Sequence, residues 1–217
     1  MQLFSKLKFI FAAFVALVIT SCIELEEHII IYPDKSGDYS LSLDLGALTQ
    51  SGVNAFKPSE DILNFPKTVE EAFRDVSGIS DIKAISDNKK GKYMVSFKFK
   101  NHKAFKKALL KLAGLKYGFI VPNYMKVGKH RFVKKDIGPL IKRQVEKQEN
   151  SPLTREFMGM EVSSLINVKT IVETPGNVKN IKKNSRASFT NDPDVIEIKS
   201  TLKDILSGAS TGVVLKY

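Results

Sequence analysis

Cysteine is almost missing from this chain. Cys22 is the only one in 217 residues, so no disulfide can close within it. Histidine is scarce as well. His28, His102 and His130 stand in no metal-ligand spacing with one another, so no metal site is expected. There is no Gly-x-Ser-x-Gly, no phosphate-cradling glycine-rich loop and no His-Glu-x-x-His. The usual signatures of hydrolases, nucleotide binders and metalloproteases are therefore lacking. The run Gly208-Ala209-Ser210-Thr211-Gly212 is a small-residue turn without the flanks of a phosphate loop. Glu70 and Glu71 are adjacent, so their side chains diverge on a helix, whereas acid–base pairs need convergent carboxylates. No catalytic residue and no cofactor is expected, and the chain does not read as an enzyme. After residue 19 there is no second long apolar run, so the rest of the chain is expected to be soluble.

What is present begins at the N-terminus. Lys6 and Lys8 give a short positive start, and residues 9–19 are unbroken apolar sequence. Eleven residues fall short of the roughly 20 that a spanning helix needs. A positive start, a short apolar core and small residues at its end form the pattern of a secretory signal. The segment closes on Ile19-Thr20-Ser21-Cys22. This resembles the lipobox of bacterial lipoproteins. The resemblance implies that the Cys22 thiol takes a diacylglycerol, that cleavage follows before it, and that the new amino terminus is acylated. Two or three chains on one residue would anchor stably, where one holds only marginally. Residues 1–21 are thus expected to be a signal peptide and 22–217 one lipid-anchored domain. No Asp follows Cys22; by the best-known sorting rule this favours the outer membrane. The acidic run Glu24, Glu26 and Glu27 also resembles surface-export signals of some bacterial groups, which leaves periplasmic and surface exposure both open.

Charge is unevenly placed. Residues 22–88 carry 5 Lys/Arg against 13 Asp/Glu, a net of −8, while residues 89–147 carry 18 against 2, a net of +16. Such asymmetry points either to an acidic partner or to blocks that neutralise each other on folding. Lys98, Lys100, Lys103, Lys107 and Lys111 are the candidate contacts to an anionic surface, with anionic lipid headgroups or acidic glycans as the expected partners. An exported chain rarely meets nucleic acid, so none is expected. Tyr93, Phe97, Phe99 and Phe105 are expected in the core.

The pattern along the chain is α+β. Leu25, Glu27, Ile29 and Ile31 share one face of a first strand. Pro33 to Asp38 is a turn, and Tyr39, Leu41, Leu43 and Leu45 alternate along a second strand, which makes a hairpin. A short helix is expected at 60–64. A second is expected from a capping box of Thr68 and Glu71 to Gly78. Ile79, Ile82 and Ile85 then suggest a strand, and residues 93–99 alternate cleanly. Asn101 caps a helix ending at Gly114. Strands are expected at 117–121 and 130–134, helical structure over 139–160, and a long strand at 163–173. Short strands, a helix at 202–206 and a last strand at 211–217 follow. The expectation is a mostly antiparallel sheet of hairpins with two or more helices packed on it.

In this order the chain resembles the LppM-like domain of bacterial lipoproteins. The residues that carry the resemblance are Lys35-Ser36-Gly37 in the first hairpin, Gly78-Ile79 at the entry to the second, and Pro175-Gly176 with Val178 after it. Some members carry a C-terminal transmembrane helix that has no counterpart here. The resemblance implies an envelope protein that binds lipid or glycolipid, and no enzyme. The expected function is a non-catalytic envelope binding or assembly module for lipid, glycan or protein. The alternative is an envelope hydrolase or transferase whose site is assembled from distant residues.

Overall fold

The structure, a computed structural model, describes residues 23–46, 60–113, 123–147, 153, 156–157 and 159–217. Cys22, the signal segment, Gly114 and the strand expected at 117–121 lie outside the described residues. In chain order the elements are β1 (Ile23–Ile31), β2 (Gly37–Asp44), α1 (Glu60–Phe73), β3 (Ile79–Asp87), β4 (Lys92–Phe99), α2 (His102–Leu112), β5 (Met125–Val127), β6 (Arg131–Lys134) and α3 (Gly138–Glu146). Next come β7 (Glu156–Phe157), β8 (Met160–Glu161), a 3-10 turn (Val162–Leu165), β9 (Ile166–Glu173), β10 (Asn180–Lys182), β11 (Ala187–Phe189), β12 (Val195–Thr201), α4 (Leu202–Leu206) and β13 (Val213–Lys216).

The fold is α+β with a mostly antiparallel main sheet. Seven strands run in the order β11-β12-β9-β1-β2-β4-β3, so β1 is the central strand. Its pairing with β2 is antiparallel and its pairing with β9 parallel. A second sheet, β10-β13-β6-β5, shares its core with the first. Ile29, Val95, Phe97 and Val172 from the large sheet pack with Phe132, Val213 and Leu215 from the small one. Helix α2 forms where Asn101 Oδ1 accepts from the amides of Lys103 and Ala104, both at 3.0 Å. It buries Ala104, Phe105 and Ala108, and Phe105 meets Phe97 and Phe99 edge or tilt on at 5.7 and 5.6 Å. Tyr93, Phe97, Phe99 and Phe105 are all buried, the first three as the alternation of β4 predicts.

The hairpin turn depends on Gly37. A Cβ there would lie 2.0 Å from the Ile30 carbonyl oxygen and 2.6 Å from Phe99 Cζ, so no side chain fits between β1 and the Phe99 ring.

Several local expectations change. Residues 60–73 form one helix through Pro66, not two, and Thr68 does not cap. Its hydroxyl donates to the Asn64 carbonyl at 3.0 Å, the back-bond of a mid-helix threonine. Packing of Val69 and Phe73 into the core outweighs the cost of the proline. The three-residue spacing of Ile79 and Ile82 cannot share a face in a regular strand. A register shift between Ser80 and Lys83, with Asp81 at φ 52, lets both pack on the core. Ile85 is left 47% exposed. The expected helix over 139–160 stops at Glu146, and residues 162–165 form the 3-10 turn before β9.

Candidate functional site

The core face of β1 carries Ile23, Glu27, Ile29 and Ile31, all buried. The alternation that buries its neighbours also buries Glu27, since successive side chains point to opposite faces. An ionised carboxylate survives there only with partners, and the fold brings four. Lys134 at the end of β6 places Nζ 3.0 Å from Glu27 Oε2. Thr170 on β9 donates to the same oxygen at 3.2 Å. The Tyr124 hydroxyl donates to Oε1, and Tyr39 on β2 lies against both groups. Lys134 also donates to the Thr211 carbonyl at 2.8 Å, and its Nζ is 5.4 Å from the centre of the Tyr124 ring. Burial and the charge of Glu27 push the hydroxyls of Tyr39 and Tyr124 well above the ordinary phenol range, so both remain protonated donors.

Next to this cluster is a cavity of about 370 Å³, within the roughly 300–1,000 Å³ common for ligand sites. The large sheet supplies Leu25, Leu41, Val168 and Ile198, α2 supplies Phe105 and Leu109, and Ile137, Ile141, Leu202 and Ile205 come from α3, α4 and the segment before α3. The charged residues that line it are Glu27 and Lys134, paired with each other, and Lys169, whose ammonium turns to Glu26 on the other face of the sheet. Both Glu27 oxygens accept from protein donors. The wall is apolar with a satisfied polar seam, which suits an uncharged chain better than a charged group.

Thr211 ties this seam to the start of α3. Its amide and hydroxyl donate to Asp136 Oδ1 at 3.1 and 2.9 Å, and its Oγ1 accepts from the Ile137 amide at 2.8 Å. The small-residue turn of the sequence is thus a structural clasp for the cavity wall.

The lysines expected to act together are divided. Lys103, Lys107 and Lys111 are exposed along one stripe of α2, at the i, i+4 spacing of a helix face. Lys111 pairs with Asp75 at 3.6 Å. Lys98 alternates with the buried Phe97 and Phe99, so it lies on the opposite face of the sheet from α2, bound to Asp81 at 2.8 Å. Lys100 is exposed just beyond β4. His28, unassigned by sequence, places Nε2 2.7 Å from Glu173 on the outer face. Among the described residues no group of three or more His, Cys, Asp or Glu could hold a metal ion, and no helix is long and apolar enough to cross a membrane.

Sequence reasoning missed the Glu27 cluster. Its available signal was one glutamate on the apolar side of an alternating strand.

No protein-family model and no curated protein matches the chain. Among solved structures it is similar to the NMR structure of the folded domain of the Mycobacterium tuberculosis protein LppM, at 10% identity over 90% of each chain, with a TM-score of 0.39.

Proposed function

We propose that the chain is a lipid-anchored, non-catalytic binding module of the bacterial cell envelope, held through Cys22 at the outer membrane, and that its cavity takes an apolar acyl-type chain. The observation that carries the binding half is the 370 Å³ cavity with an apolar wall whose charges are all paired. A ligand there gains by burying methylenes, about 0.8 kcal/mol each. It finds no unpaired charge in the wall, so its headgroup stays at the mouth. The anchor half rests on the signal-like segment ending at Ile19-Thr20-Ser21-Cys22.

Uptake of a fluorescent long-chain fatty acid measures the binding half. The chain contains no tryptophan, so Leu109→Trp both fills the cavity from α2 and adds a reporter. Uptake should fall strongly in that variant while its unfolding midpoint stays near that of the parent. Unchanged uptake in a folded Leu109→Trp protein would remove the cavity from consideration.

A further inference from the structure

The end of the large sheet away from Ile23 gathers cations from several separate elements. Ile31 at the end of β1 is paired with Gly37, and Gly37 with Phe99. The β1–β2 turn, the end of β4 and the start of α2 therefore meet at one end. That end is about 26 Å from Ile23 at the strand rise of about 3.3 Å per residue. Lys35 stands in the turn at φ 72, Lys100 follows β4, and Lys103 is in the first turn of α2. Strand β5 joins them: Tyr124 stacks on Phe105 at 5.8 Å, and burial of Met125 and Val127 turns Lys126 outward. Lys35, Lys100, Lys103 and Lys126 are exposed, and among the described residues none is in an ion pair. Asp34 shares the turn, but its carboxylate is engaged by the Ser36 amide and hydroxyl at 2.9 and 2.5 Å. Burial, then the charges of Lys103, Lys126 and Lys35, hold the His102 imidazole below its ordinary range. The three ammonium groups are thus all near enough to act on His102.

We propose that this end binds a soluble polyanion, a polymer of closely spaced phosphate or carboxylate groups, and presents it away from the anchoring bilayer. The orientation half rests on the Cys22 tether proposed above; the binding half does not. Cys22 is one peptide bond from Ile23, about 3.8 Å between Cα atoms, so no linker separates tether from sheet. β1 has three strands on either side. β11 stops level with Glu27, so six strands reach the end that carries Ile23. Ile23 is near the middle of an end about 24 Å across at roughly 4.8 Å per strand, and that end rests on the bilayer. Screening limits attraction to about 8 Å at physiological salt, so cations about 26 Å away gain little from that bilayer. A polymer reaches them freely. Several cations along one strip match a repeating anion, and release of its counterions makes such binding steeply salt-dependent.

Fluorescence anisotropy with labelled inorganic polyphosphate tests this on the purified full chain. Binding should be clear at low salt and fade steeply as salt rises. The triple change Lys35→Gln, Lys103→Gln and Lys126→Gln should weaken it by roughly tenfold or more. The triple Lys89→Gln, Lys90→Gln and Lys203→Gln removes the same charge at the Ile23 end and should cost far less. Equal losses in the two triples, or no binding by the parent, would overturn the proposal. A second arm places the acylated chain in anionic vesicles, where polyphosphate should still bind. If binding is lost there yet kept by the free chain, the basic end lies on its own bilayer and the orientation half is wrong. A mass showing no lipid on Cys22 overturns the tether and the orientation with it, while the solution result stands by itself.

Discussion

Glu26 and Glu27 are neighbours in one strand, and each is ion-paired to a lysine at 3.0 Å. They face opposite sides of the sheet. The Glu26–Lys169 pair has side chains 31% and 26% exposed, and Lys169 also reaches Glu197 at 3.4 Å. The Glu27–Lys134 pair is 7% and 3% exposed. The geometry is the same and the surroundings differ, so the energetics differ. On the outer face water competes for both charges, and such a pair is worth about 0–1 kcal/mol. Inside, the desolvation cost is several kcal/mol per ion and is recovered only through complete pairing. The buried pair is therefore expected to be a point of specification, fixing how β6 and its sheet meet β1, more than a source of net stability.

Breaking one side of the buried pair should give the largest effect. Lys134→Met leaves Glu27 without its cation, at an expected cost of about 3–5 kcal/mol. The double variant Glu27→Gln with Lys134→Met should recover most of that loss, because the uncompensated charge is gone. Urea unfolding of the parent, the single and the double variant measures both. A single-variant loss below about 1 kcal/mol would put the inner pair on a level with the outer one and erase the contrast.

The outer pair sharpens the comparison from the other side. Lys169→Met removes the partner of Glu26 and one partner of Glu197, which keeps Lys199 at 2.7 Å. The expected loss is about 1 kcal/mol or less, and it should shrink further in high salt, where exposed charges are screened. The Lys134→Met loss should be nearly independent of salt. A salt series on the two single variants therefore separates the two faces without reference to absolute stability.

What the sequence made legible follows the same division between near and far. The first two hairpins, the Asn101 cap and the alternation of β4 are local patterns, and all appear in the structure. The alternation even put Glu27 on the apolar side with Leu25, Ile29 and Ile31. Its meaning stayed hidden because its partners are remote: Tyr124 is 97 residues away and Thr170 is 143. The parallel pairing of β1 with β9 is equally non-local, and it is what carries Thr170 to Glu27. The basic middle failed to map onto one patch for a related reason. Counting lysines along the chain ignores the pleat, which sends Lys98 to the outer face, and misses Lys35, which the turn brings to the same end of the sheet as Lys103.

A third carboxylate, Asp204, extends the comparison to the smallest effect. It lies in the first turn of α4, with a side chain 33% exposed, and accepts from Arg186 Nη1 at 2.6 Å. Its Oδ2 also accepts from the Thr201 amide at 2.9 Å, while Thr201 Oγ1 accepts from the Asp204 amide at 3.1 Å. That reciprocal capping box holds the end of β12 to α4. The Arg186 guanidinium first, and the Thr201 amide next, hold the carboxyl well below the usual carboxylate range. Folding therefore favours the ionised form. The stabilisation is fully present above the unfolded value of about 3.9 and is lost as pH falls through that value toward the folded one. Solvent screening at a side chain this exposed keeps the contribution to about 1 kcal/mol or less. Asp204→Asn should accordingly lower the unfolding midpoint slightly at pH 7 and hardly at all near pH 2, so the parent and variant curves converge in acid. Glu27 is the counterpoint, since its partners lie in the core and its removal should be felt across the whole fold. Curves for Asp204→Asn that stay equally separated from pH 7 to pH 2 would mean that the cap acts through its hydrogen-bond geometry alone, with no contribution from its charge.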